Sequence, residues 1–302
     1  MKRIWIAMLA GLLALSAVAL AAPEADRAGN PITLPEKVER IVSMAPSTTQ
    51  VLIDLGVSDQ IVALDTYSAM YEPELAEGLP QFDMMTPDAE QIAALTPDVV
   101  FITGMSLSGG DNPYQALINI GIPVVVIPSS SSIAGIEEDI AFIGECVGKP
   151  EEAQNLIASM QNDIEAIRAI GETIQEKKTF AVEVAALHYL CCVGSGTYFN
   201  EMLEMIGAVN AYGDQEGWVS LTEEAAVAAN PDVILTTIDY LPDPVEEILS
   251  REGWSEVTAI ANGDVYQIDS ESSNQPNHRI IKALWEMAQA VYPEAFSTEA
   301  AA

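Results

Sequence analysis

The chain has 302 residues, 45 of them acidic and 12 basic, for a formal net charge of −33. That excess excludes nucleic acid and anionic lipid as partners, because both are polyanions and would be repelled. Three cysteines give no disulfide framework, and two histidines are too few for a multi-histidine metal site.

Residues 1–21 read as a secretory signal. Lys2 and Arg3 precede an apolar run from Ile4 to Val18, and Ala19-Leu20-Ala21 offers a small-x-small cleavage site. The run is short for a membrane span, which needs about 20 apolar residues. No cysteine follows the signal to take a lipid, so the expectation is an exported, periplasmic protein. Without Lys2 and Arg3, 10 basic residues face 45 acidic ones, a charge of −35.

Residues 22–36 are a polar, Pro-rich lead-in. Arg40 to Ala45 reads as a buried strand, and Ser47 with Gln50 forms a capping box for a helix stopping at Gly56. Continuous apolar runs at Ile61–Leu64, Val99–Thr103 and Val124–Ile127 predict strands covered on both faces, with helices at Pro87–Leu95 and Tyr114–Ile120 between them. Strand and helix alternate, which marks an α/β layer domain over residues 22–148.

A helix from Ile133 to Cys146 leads into the longest amphipathic segment, residues 149–178. Its stripe is Ala153, Leu156, Ile157, Met160, Ile164, Ile167, Ile170 and Ile174. Pro150 suits its first turn, and Lys177 and Lys178 suit its last, giving a helix of roughly 40 Å. Residues 179–302 then repeat the alternation. Strands are expected at Phe180–Ala185, Val233–Thr237 and Val265–Ile268. Helices are expected at Phe199–Ile206, after Ser220, at Pro244–Ser250 and at Arg279–Tyr292, with a loose tail after Pro293.

The two halves share a phrase. Thr86 precedes Glu90 by four residues, and Glu90 precedes Pro97-Asp98 and a strand by seven. Ser220, Glu224 and Pro231-Asp232 repeat that spacing 134 residues later. The repeat predicts two lobes of one build, with the long helix as a strut between them and a ligand cleft where they face.

The segment Arg40-Ile-Val-Ser-Met-Ala-Pro-Ser-Thr-Thr-Gln-Val-Leu-Ile-Asp-Leu-Gly56 resembles the opening of the helical-backbone (class III) solute-binding proteins of ABC importers. The Glu-x6-Pro-Asp phrases, the stretch from Gly194-Ser195-Gly196 to Gly207-Ala-Val-Asn210, and His278-Arg279-Ile280 are similar to that family too. The resemblance covers roughly residues 26–293. It implies two Rossmann-like α/β lobes joined by one long backbone helix, and a monomer that captures an iron–siderophore, corrinoid or haem ligand. It also implies delivery to a permease and its ATPase, with no cofactor and no catalysis. Glu90 and Glu224 are then the permease-docking glutamates.

For the cleft, the resemblance implies Tyr67 and Tyr71 after the second strand, and Met84 and Trp218, each six residues before a docking glutamate. His188 and Tyr189 fall on a loop of the second lobe, and Glu271 and Gln275 precede the last helix. Aromatic rings there would cover the flat face of a large complex. No lysine or arginine is placed to line the cleft except Arg279, read as structural. That disfavours a triply anionic catecholate and leaves a neutral ferric hydroxamate, a corrinoid, or haem ligated by Met84 with His188 or His278. A free metal-ion binder of this fold and a sensory or adhesion module stay open. Gly194-Ser195-Gly196 lacks the Gly-x-Ser-x-Gly elbow of a hydrolase.

Overall fold

A computed structural model describes residues 22–297. The signal segment expected over residues 1–21 lies outside them, as do residues 298–302. In the first lobe, strands β1 (Ile41–Met44), β2 (Ile61–Asp65), β3 (Gln81–Phe82), β4 (Val99–Thr103) and β5 (Val124–Ile127) form a parallel sheet in the order β3-β2-β1-β4-β5. Every residue of β1, β4 and β5 is buried, which is why these strands read as unbroken apolar runs. The lead-in is a strap on this lobe: the buried Asp26 carboxylate accepts from Val126 N at 3.0 Å.

The second lobe contains β6 (Thr179–Ala185), β7 (Cys191–Val193), β8 (Val209–Asn210), β9 (Trp218–Ser220), β10 (Val233–Thr236) and β11 (Val265–Gln267). Its order is β11-β10-β6-β7-β9, with β8 added on β6. Strands β6, β10 and β11 are parallel, and β7 is antiparallel to both β6 and β9. Cys191 and Cys192 are free thiols on successive residues of β7, so their side chains leave opposite faces of the strand.

The connecting helix runs Pro150–Gly171, 22 residues, or about 33 Å. It stops seven residues before the expected Lys178. Gly171 meets the second lobe so closely that an added Cβ would lie 2.0 Å from Met205 O, and one on Gly207 would lie 2.4 Å from Gly171 O. Lys177 and Lys178 therefore fall beyond the helix. Ala153, Ile157, Met160, Ile164 and Ile167 are buried in one apolar core that continues from Phe101 of the first lobe to Phe180 and Phe199 of the second.

The first helix is Pro46–Asp54, with Ala45 at its N-cap and no side-chain cap. Pro46 fixes the first helical φ, which puts Ser47 inside the helix and breaks the expected capping box. Short helices Thr66–Tyr71 and Pro73–Ala76 were not legible as periodic segments. The chain after Pro293 is packed rather than loose: Phe296 is fully buried and lies edge-on to Trp285 at 6.1 Å.

The shared phrase is repeated in three dimensions. The helices Ala89–Ala94 and Glu223–Ala229 are capped by Asp88 and Thr222, two residues before each glutamate, not by Thr86 and Ser220. Each helix is followed by a left-handed residue, Thr96 at φ 47° and Asn230 at φ 45°. Asp98 and Asp232 then lock onto their neighbouring strands alike. Asp98 N donates to Arg40 O at 2.8 Å, and Arg40 N donates back to the Asp98 carboxylate at 2.9 Å. Asp232 N donates to Thr179 O at 2.8 Å, and Thr179 N returns to the Asp232 carboxylate at 2.8 Å.

Candidate functional site

In parallel α/β sheets, ligands bind beyond the carboxyl ends of the strands. Here those ends face each other across the lobe boundary. Tyr71, two turns after β2, lies against Gln275, which follows β11. Burial, then Asp239 after β10 and Glu271, push the Tyr71 phenol above its ordinary pKa. Gln50 Nε2 donates to Glu271 Oε1 at 2.8 Å, and Asn277 Nδ2 donates to Gln50 Oε1 at 2.6 Å. Burial, then Glu72 and Asp269, raise the Glu271 carboxyl.

The side chains left open at these ends are aromatic or thioether. Of ten exposed large hydrophobic residues among the described residues, six follow the carboxyl end of a parallel strand: Tyr67 and Met70 after β2, Met85 after β3, Met105 after β4, Tyr189 after β6 and Tyr240 after β10. That concentration marks a binding mouth rather than scattered surface apolarity. Tyr67 is 55% exposed and Tyr189 is 88% exposed, with His188 exposed beside it. Met70, Met85, Met105 and Tyr240 were missed in the sequence. Their position just past a strand end was the available signal.

Trp218 stands apart from this group. It is half-exposed on edge strand β9, opposite Val193, with its ring edge-on to buried Phe199 at 6.0 Å. Ser220, not Trp218, pairs with Cys191 at the mouth end of the strand. Phe199 in turn stacks on Tyr198 at 4.8 Å, and the Tyr198 hydroxyl donates to Ser273 O at 2.8 Å, so the Trp218 cluster is joined to the segment before Gln275.

Met84 is not a cleft residue. It is 6% exposed in the first lobe's outer core, and its carbonyl accepts from the buried Tyr114 hydroxyl at 2.9 Å. The lobe turns Met85 outward instead. His278 is also committed: its Nε2 lies 2.7 Å from Asp54 Oδ2, and its Nδ1 is buried. Of the residues named for the haem alternative, Met84 and His278 are thus engaged elsewhere, and His188 stays exposed.

Cations near the mouth are engaged. Arg279 Nε donates to Asp54 Oδ2 at 2.9 Å, and its Nη1 donates to Glu72 Oε1 at 2.6 Å. Lys282 pairs with Asp269 at 2.8 Å. A separate groove of about 730 Å³ lies between the helices Ile133–Cys146, Pro150–Gly171 and Tyr198–Met205, where glutamates outnumber Arg168 and Lys177. Among the described residues no group of three His, Cys, Asp or Glu side chains is arranged to hold a metal ion.

Glu90 and Glu224 are exposed in the first turns of their helices. Both helices run back from the mouth edge toward the strand starts, so both carboxylates stand at the edge where the cleft opens. Hydrogen bonds from its own backbone N–H and the Thr222 hydroxyl hold the Glu224 carboxyl below its ordinary pKa.

The family model described as periplasmic binding protein matches residues 41–272. The chain belongs to the periplasmic binding protein family. Within it, the chain is 32% identical over 273 residues to the uncharacterized ABC transporter substrate-binding lipoprotein YvrC of Bacillus subtilis, covering 90% of this chain and 85% of that one. It is 26% identical over 331 residues to the molybdate-binding protein MolA of Haemophilus influenzae, covering 98% and 92%. The solved structure of MolA with molybdate shares the fold at a TM-score of 0.76, with 23% identity over 90% of this chain and 91% of that one. A cobalamin-binding protein of Halobacterium salinarum is 25% identical over 281 residues, covering 89% and 73%. The periplasmic binding protein fold accounts for two parallel-sheet lobes on one helix.

Proposed function

We propose that the protein is the solute-binding subunit of an ABC importer, holding a metal chelate with a broad apolar face between its lobes. A corrinoid or a neutral ferric hydroxamate fits this description. The observation that carries the reading is the set of exposed tyrosines and methionines at the facing strand ends. Tyrosine rings cover flat apolar surface, and methionine adapts to its contours. The engaged state of Arg279 and Lys282 disfavours a compact oxyanion such as molybdate, which asks for free donors.

In this reading Tyr67, Tyr71, Tyr189, Met105 and Tyr240 touch the ligand. His188 and Gln275 supply polar contacts, and Trp218 closes the far end over a large ligand. Glu90 and Glu224 meet cations of a permease, two like charges held at a fixed separation by a rigid frame. No reaction is performed on the ligand. The protein acts as a monomer outside the cytoplasmic membrane. Among the described residues no helix is long and apolar enough to cross a membrane.

The test is the mass and absorption spectrum of whatever co-purifies with the protein from its native host. A cobalt corrinoid or ferric hydroxamate spectrum supports the reading. A colourless oxyanion or a bare divalent ion contradicts it.

A further inference from the structure

The helix Thr66–Tyr71 carries Tyr67, Met70 and Tyr71 into the mouth, yet six residues are too few to hold a helix by themselves. Its first turn is fixed from behind. Asp65, fully buried at the end of β2, accepts from Tyr67 N at 2.9 Å and Ser68 N at 3.0 Å through one carboxylate oxygen. The other oxygen accepts from the Ser68 hydroxyl. Ser68 Oγ is 2.8 Å from Thr49 Oγ1, which is 2.7 Å from Ser43 Oγ on β1, and all three hydroxyl residues are fully buried. A buried carboxylate is costly unless it is hydrogen-bonded, and here each of its bonds leads either into the helix start or to the frame of β1 and the helix Pro46–Asp54. Burial raises the Asp65 carboxyl pKa despite these bonds.

We propose that Asp65 is a positioning residue for ligand capture: through its cap on Thr66–Tyr71 and the Ser68–Thr49–Ser43 hydroxyl chain, it sets the angle of Tyr67 and Tyr71 without touching the ligand. The inference rests on the reading of the strand ends as the ligand site. The far end of the same helix is held by Glu72 to Arg279 of the other lobe at 2.6 Å, so the cap fixes the end that the lobe contact does not.

The test uses the full chain with ring-¹³C tyrosine, read by NMR, together with titration of cyanocobalamin and a ferric trihydroxamate. Asp65→Ala is expected to shift the Tyr67 and Tyr71 ring signals and leave Tyr189 and Tyr240 in place. It should weaken binding of whichever probe the wild type takes by about tenfold. Asp65→Asn keeps an oxygen for the two amides and is expected to restore both signals and most of the affinity. If the alanine variant does not fold, Thr49→Val carries the test and is expected to shift the same two signals by less. Unshifted Tyr67 and Tyr71 signals in the folded alanine variant, or in Thr49→Val where alanine does not fold, overturn the proposal. So does an asparagine variant that behaves like alanine. Shifted signals in a protein that binds neither probe support the cap and overturn the ligand reading alone.

Discussion

Arg279 of the second lobe donates from Nη1 to Glu72 of the first lobe at 2.6 Å, while its Nε donates to Asp54 at 2.9 Å. One side chain thus ties the end of the tyrosine-bearing helix and the end of the first helix to the opposite lobe. Glu271 stands 3.7 Å away as a third carboxylate. Arg279→Ala leaves Glu72 and Glu271 without the cation they share and Asp54 with His278 alone. The guanidinium is 28% exposed, so solvent screening limits the loss, expected at about 1–2 kcal/mol by urea unfolding. Small-angle scattering of this variant should show a larger radius of gyration than wild type. A profile identical to wild type would mean that the helix and the shared core alone set the lobe spacing.

Acid should loosen the same contact. Burial would raise the Asp54 carboxyl, but hydrogen bonds from His278 and Arg279, with their charges, outweigh it and hold the group below the ordinary value of 3.8. A carboxylate with a depressed folded pKa contributes stability that is fully present above the unfolded value and lost as pH falls through the folded one. The Asp54 carboxylate is therefore ionised above about pH 3.8, and its contribution fades below that value. Comparing unfolding free energies of wild type and Asp54→Asn between pH 7 and pH 3 checks this. The gap between them should narrow only at the acid end.

Glu90 and Glu224 are expected to matter for delivery and not for capture. Charge reversal at both positions should leave ligand affinity unchanged and abolish uptake by cells carrying the cognate permease and ATPase. Uptake at the wild-type rate would reduce both residues to complements of their helix dipoles, worth ~0.3–1 kcal/mol each.

Ligand size is readable from two aromatic residues. Trp218 sits on edge strand β9, while Tyr71 lies against Gln275 of the segment after β11. A corrinoid that fills the cleft should quench tryptophan fluorescence, and both Trp218→Ala and Tyr71→Ala should weaken its binding. A smaller ferric hydroxamate seated at the tyrosine end should respond to Tyr71→Ala alone. A ligand sensitive only to Trp218→Ala would place the site at the other edge.

Much of this architecture was legible in the sequence because the lobes are built around buried parallel strands and the strut is a long amphipathic helix. Strands Val99–Thr103 and Val124–Ile127 and the helix Ile133–Cys146 fall where the apolar runs put them. The paired phrases ending in Pro97-Asp98 and Pro231-Asp232 mark equivalent turns down to the backbone angle of Thr96 and Asn230. The strut overran because Gly171 looks like any helical glycine until its close approach to Gly207 is known. Met84 was misplaced because a turn of one residue decides whether it or Met85 faces out. The Arg279 clasp joins residues more than 200 positions apart and depends on how two lobes sit together, which no local pattern encodes.

Tyrosines and methionines at the facing strand ends, Tyr71 and Tyr240 among them, are the groups proposed to hold the ligand. Calorimetric titration of wild type and a Tyr71→Ala, Tyr240→Ala double variant with cyanocobalamin, a ferric trihydroxamate and molybdate tests this assignment most directly. Wild type is expected to bind cyanocobalamin or the ferric complex saturably, the double variant to lose at least about tenfold, and neither to bind molybdate. Molybdate binding by wild type, or chelate binding that the double variant keeps in full, would contradict the assignment.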